Sequence, residues 1–361
     1  MGVHSCDIVQ PTCGKCMRTG KTCEFQNRVS VKFSNSTSAS YSHYPISPPL
    51  PVTPPQDVIA VPSETVQWDE LELMHHFSTA TYTSAANRDD LRRMWQIQVP
   101  RMALKKKYLL HSIFSTAALH IAHSHPEKQS LYIDKAIRYH HLAIQGFSLE
   151  LQSITQENST SLFTCATLTV LFAFSLTMLR PHEEPMRPIE ELLGIFTLLR
   201  GTPFVIGEMW NWVRESEIAP LFAGREVDDS IVLSDDITAA LKLLEDRNQL
   251  TAKSESERET YALAIQGLKK CFRVISSKDR YNGMVFQWPI SVSKEYIALL
   301  RSREQMALVI LAHYAVILDE IRDTWWMMGW GSKLIQESNQ VVEDEWKSLL
   351  VWPMDKIVIG R

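Results

Sequence analysis

Residues 11–25, PTCGKCMRTGKTCEF, carry two sets of side chains that could do chemistry, and the two exclude each other. The TGKT at 19–22 has the form of the end of a phosphate-binding loop. Such a loop needs two glycines with four residues between them, so that successive backbone N–H groups curl around a phosphate ahead of the Lys and Ser/Thr. Gly14 and Gly20 instead have five residues between them, no apolar strand leads in, and cysteine would stand inside the cradle. Phosphate binding is excluded.

Metal binding suits the same residues. Cys13 and Cys16 have C-x2-C spacing, which places two thiolates on one tetrahedral ion. Gly20 lets the chain reverse through the left-handed region and return Cys23 to the metal. Six residues separate Cys6 from Cys13, and Pro11 stiffens the loop between them. Four clustered cysteines without an apolar secretory segment point to zinc rather than disulfides. The remaining two, Cys165 and Cys271, fall in apolar helical patterns and read as buried thiols.

Charge is distributed unevenly. Residues 1–32 hold five basic residues against two acidic ones, whereas the rest holds 32 against 39. A polyanion would therefore be met at the basic head. There Lys15, Arg18 and Lys21 are placed to touch DNA phosphates, contacts that position a protein without reading sequence.

No catalytic constellation accompanies this head, so an enzyme is not expected. The sequence has no G-x-S-x-G elbow, and Lys105–Lys107 reads as the wet side of a helix. His120, His123 and His125 lack a carboxylate at metalloprotease spacing and read as solvated histidines at a helix end. His313, inside an apolar run, reads as a hydrogen-bonded core residue. Asn35 and Asn158 fit glycosylation sequons, which carry no meaning without secretion. Six of the ten tryptophans fall in residues 288–352, among several methionines. Trp325, Trp326, Met327, Met328 and Trp330 suit the wall of a pocket for a large apolar ligand, although from the residues alone ordinary core packing is the simpler reading.

The elements that must position these residues fall into three regions. Residues 1–27 form a small cysteine-rich zinc module. Residues 28–66 are dense in Ser, Thr and Pro without a period, and cannot bury enough apolar surface to offset their ordering entropy. They read as a disordered linker. Residues 67–361 carry helical periodicity throughout and no sustained alternation of period two, which predicts an all-α domain.

Particular helices follow from pattern. Ile189, Leu192, Leu193, Phe196 and Leu199 make one stripe, with Gly201 and Pro203 expected to end that helix. A second stripe runs Ile133, Ile137, His140, Ile144, Phe147 and Leu151, opened by Pro126. Ser234 is placed to cap a helix whose first turn holds Asp235 and Asp236. MALVILAHYAVIL (306–318) is apolar all round and predicts a central core helix. SLFTCATLTVLFAFSLTML (161–179) has 19 uncharged residues, but its six Ser or Thr and lack of an aromatic belt favour a buried helix over a membrane span.

SCDIVQPTCGKCMRTGKTCEF resembles the second part of the fungal binuclear zinc cluster, which runs C-x2-C-x6-C, a proline-containing loop, then C-x2-C-x6-C. Cys6, Cys13, Cys16 and Cys23 match its third to sixth cysteines, and Pro11 its loop proline. The family's first C-x2-C and the basic helix joined to it have no counterpart here. The head therefore reads as a truncated cluster, with enough thiolates for one closed site and with impaired DNA contact. Several later stretches resemble the regulatory domain of the sterol uptake control group of these factors: WDELELMHHFSTATY (68–82), helix 189–201, 286–321, WWMMGWGSKLI (325–335) and WKSLLVWPM (346–354). The resemblance implies a nuclear regulator of RNA polymerase II genes that engages DNA and the transcription machinery, with a helical domain sensing a sterol or other apolar effector. The alternative it leaves is a ligand-sensing or partner-binding regulator without direct DNA contact.

Overall fold

In the computed structural model, contacts divide the chain into two units, Met1–Glu64 and Thr65–Arg361. The structure describes residues 67–180, 186–222, 230–277 and 282–359, with only the backbone at 201–208 and 358–359. The described residues are helical, with no strand among them, as the periodicity predicts.

Helix α1 (Trp68–His76) continues through a π-helical turn, Phe77–Thr81, into a last turn, Tyr82–Ser84. Helix α2 (Asp89–Arg93) likewise continues through a π turn, Met94–Gln98, into Val99–Ala103. The two π turns pack together, and Gln96 Nε2 donates to the Ser78 carbonyl at 3.1 Å. An antiparallel pair follows, α3 (Lys107–Ser124) and α4 (Gln129–Glu150), joined by a short 3-10 turn at Pro126–Lys128. On α4 the buried stripe is Tyr132, Ile133, Ala136, Tyr139 and Ala143. The expected stripe was turned by part of a helix face: Ile137 is exposed, whereas His140 stacks on Phe172 at 3.7 Å. Small residues let α4 sit close to α3, a signal that a search for large apolar side chains passes over.

Helix α5 (Gln156–Leu179) is long and apolar enough to cross a membrane by length and composition, yet 56% of its most apolar window is buried within the protein. It packs on α3, α4 and α6 (Pro188–Arg214). Its hydroxyls are reconciled with burial locally. Those of Thr164, Thr169 and Ser175 each donate to the carbonyl four residues back, at 2.7–2.9 Å. Thr155 and Asn158 close a reciprocal capping box at its start, so this sequon asparagine has a structural task.

Helix α6 overturns one expectation. The backbone stays helical past Gly201 and Pro203, to Arg214. Local breakers are outweighed by burial on either side, since Ile189, Leu192, Phe196 and Leu199 before them and Met209 and Val213 after them are all in the core.

The remaining helices are α7 (Asp235–Thr251), α8 (Glu255–Ser276), α9 (Gln287–Ser291), α10 (Lys294–Arg301), α11 (Gln305–Asp319), α12 (Trp330–Val341) and α13 (Val351–Ile359). Helix α7 begins where Ser234 and the two aspartates predict, although the Ser234 hydroxyl makes no bond to the first-turn N–H groups. Helix α11 is buried from Met306 to Asp319 and contacts α8, α10, α12 and α13. It is the central helix that the sequence predicts. Its His313 donates Nδ1–H to the Val309 carbonyl at 2.9 Å and stacks on Trp352. Cys165 and Cys271 are buried free thiols, with burial pushing their pKa up to about 11 and about 12.

Candidate functional site

Cys6, Cys13, Cys16 and Cys23, with Lys15, Arg18 and Lys21, lie outside the described residues. The expected linker, residues 28–66, does too. The site that the structure does build lies where the π turns of α1 and α2 meet α5 and the segment between α11 and α12.

That segment carries the tryptophans. Gly329 adopts a left-handed φ of 83°, which favours glycine, and starts α12 immediately after the turn. Gly331 allows α12 to approach α11: a Cβ there would stand 2.6 Å from Asp319 Cβ and 2.9 Å from the Ala315 carbonyl oxygen. Held this way, the loop sends Trp325 and Trp326 to the end of the α1 run. Trp325 Nε1 donates to Ser84 Oγ at 2.7 Å, and Trp326 Nε1 to the Ser84 carbonyl at 3.3 Å. Trp330 Nε1 donates to the Phe174 carbonyl on α5 at 3.2 Å.

The five aromatic and methionine residues expected to line one pocket are thus distributed among different tasks. Trp326 lines a cavity. Trp325 is buried against α1 and α3, and Met327 and Trp330 are fully buried in the core. Met328 is exposed. Trp325 to Met328 lie in the turns before Gly329 and Trp330 opens α12, so neighbours in sequence face different surroundings.

The cavity has a volume of about 130 Å³. Ala85, Trp95, Phe163, Leu171, Phe286 and Trp326 give it an apolar wall, and Thr167 and Asn282 add polar atoms to the lining. It compares with the engineered apolar cavity of roughly 150 Å³ that admits benzene, and is smaller than the roughly 300 Å³ at which drug-sized sites begin. Trp95 was not singled out by sequence reasoning. A π turn adds a residue to the helical turn, so the 3.6 period that marks buried faces fails at Met94–Gln98.

Behind Trp325 stands a histidine group that corrects another expectation. His120 is not a solvated helix-end residue. Its ring stacks on Trp325 at 5.0 Å, and its Nδ1 lies 3.1 Å from both His76 Nε2 and Thr81 Oγ1. Burial, reinforced by His76 and His123, pulls its pKa down to about 4. Such an imidazole is neutral at pH 7, and its Nδ1, with one lone pair or one proton, bonds to Thr81 or to His76 according to the tautomer. His123 also faces Trp325, at 5.9 Å, while His125 is exposed and pairs with Glu127. No group of three or more His, Cys, Asp or Glu among the described residues could hold a metal ion.

Residues 72–182 match the fungal specific transcription factor domain. This match runs from within α1 through α5, the elements carrying Trp95, His120 and six of the thirteen residues that line the cavity. Over 411 residues the chain is 25% identical to a Zn(2)-C6 fungal-type transcription factor of Gibberella zeae, covering 97% of this chain and 82% of that protein. It is also 26% identical over 326 residues to the Zn(2)-C6 fungal-type transcription factor afumD of Aspergillus fumigatus, covering 86% of this chain and 81% of the relative. These matches are to transcription factors and not to enzymes, in keeping with the lack of a catalytic constellation in the sequence.

Proposed function

We propose that the chain is a fungal transcription regulator whose N-terminal cysteines bind zinc and whose helical part, residues 67–361, responds to an apolar effector. The observation that carries this reading is similarity along nearly the whole chain to factors named for a Zn(2)-C6 cluster, in a chain with four cysteines in its first 23 residues. Four thiolates at these spacings suit one closed tetrahedral zinc site formed by Cys6, Cys13, Cys16 and Cys23. Bound zinc would supply folding free energy to a segment too short to build a core. Lys15, Arg18 and Lys21 would then meet DNA phosphates, and the protein would work in the nucleus with the transcription machinery.

A small apolar cavity and the polar tether of Trp325 and Trp326 to Ser84 support effector sensing. A sterol, the ligand implied by the family resemblance, is much larger than a benzene-sized cavity, so its entry requires the walls to part. Zinc analysis of the full chain tests the metal part of the reading. One zinc per chain, lost in Cys13→Ser, is the expected result; two per chain, or none, contradicts it.

A further inference from the structure

The cavity beside Trp326 has few polar groups to offer an occupant. Thr167 Oγ1 donates to the Phe163 carbonyl at 3.0 Å, so its hydroxyl proton is committed within α5. Trp326 Nε1 is committed to the Ser84 carbonyl. Trp95 Nε1 is itself buried, so this indole turns carbon atoms, not its N–H, to the cavity. Asn282 is the one further polar side chain on the wall. Phe163, Val170, Leu171, Leu199, Leu221 and Phe286 supply most of the rest.

A buried water needs two to four polar partners, and an apolar cavity that cannot supply them stays dry. Side chains around an unfilled space forfeit dispersion contacts on that side, and an apolar occupant restores them. The volume of about 130 Å³ is close to the engineered cavity of roughly 150 Å³ that takes benzene, so one ring is the natural size. Ile290 stands on the wall and is 38% exposed, which puts the cavity close to the surface.

We propose that this cavity binds a compact hydrocarbon ring, bare or with a small alkyl substituent, and discriminates against rings that carry a hydrogen-bonding group. The occupant rests against Trp326, whose N–H holds the end of the α1 run. Its regulatory meaning rests on the effector-sensing reading above, whereas binding itself does not.

The test titrates the full chain calorimetrically with toluene and phenol, two rings of similar shape that differ by a methyl or a hydroxyl group. Toluene should bind saturably. Phenol should bind at least roughly tenfold more weakly, because its hydroxyl gives up hydration for a wall that returns little. Ala85→Phe should fill the space and abolish toluene binding, with cooperative thermal unfolding showing that the variant is folded. Leu171→Ala should enlarge the space, keep toluene and raise the affinity for the two-ring hydrocarbon indane relative to toluene. No saturable toluene binding, phenol bound as tightly as toluene, toluene binding unchanged in folded Ala85→Phe, or an indane-to-toluene ratio unmoved by Leu171→Ala would each overturn the proposal. Because no DNA or zinc readout enters, these outcomes are separable from failure of the transcription reading.

Discussion

Trp325 donates its indole N–H to Ser84 Oγ at 2.7 Å, and the same serine hydroxyl donates onward to the Thr81 carbonyl at 2.6 Å. One hydroxyl thus joins the segment before α12 to the end of the α1 run. Ser84→Ala would leave the Trp325 N–H, on a residue only 7% exposed, without its acceptor. The expected loss is about 1–3 kcal/mol of stability. Adding Trp325→Phe to Ser84→Ala should cost less than Trp325→Phe alone, because the N–H is already unpaired. Denaturant unfolding of the four proteins checks this, and additive losses would argue against the bond.

Two glycines should respond in opposite directions. Gly331→Ala forces a Cβ within 2.6 Å of Asp319 Cβ and 2.9 Å of a backbone oxygen, so α11 and α12 must separate. A destabilisation of about 1–3 kcal/mol is expected. Gly194, exposed on α6, has nothing within 4 Å of the added atom, and Gly194→Ala should stabilise by roughly 0.5–1 kcal/mol. Thermal midpoints of the two variants measure the contrast.

Acid should weaken the protein before its carboxylates protonate. Burial draws the His313 pKa from the ordinary 6.5 down to about 4. Between these values the unfolded chain holds more protons than the folded one, so stability falls as pH drops through that window and is complete above it. For this fully buried ring the loss approaches ~3 kcal/mol. His120 and His140, also drawn down to about 4 by burial, act in the same direction. Urea midpoints measured between pH 7.5 and 4.5 should decline, and more gently in His313→Phe. Parallel slopes for the two proteins would show that His313 titrates normally.

Much of this architecture was legible because long apolar patterns are hard to misread. Helix α11 is uncharged and apolar from Met306 to Leu318, and only a central position buries every side of it. Gly201 and Pro203 misled because propensity is local, whereas α6 is held by core residues on both sides of them. The place of His120 near a helix end suggests a solvated ring. Its partners His76, Thr81 and Trp325 come from other elements, and tertiary contacts of that kind leave no mark in sequence spacing. Trp95 was missed for a related reason, since its π turn breaks the period that would have placed it on a buried face.

The proposed regulation of transcription rests on a zinc-dependent DNA contact at the head. Fluorescence anisotropy of a labelled duplex, titrated with the zinc-loaded full chain over a range of salt, tests it most directly. With about three basic side chains available for phosphates, the expected affinity is weak and weakly sequence-dependent, with a log–log salt slope of about −2 to −3. Chelation of zinc or Cys13→Ser should abolish the binding. An affinity indifferent to both treatments, or no binding even at low salt, would contradict the account.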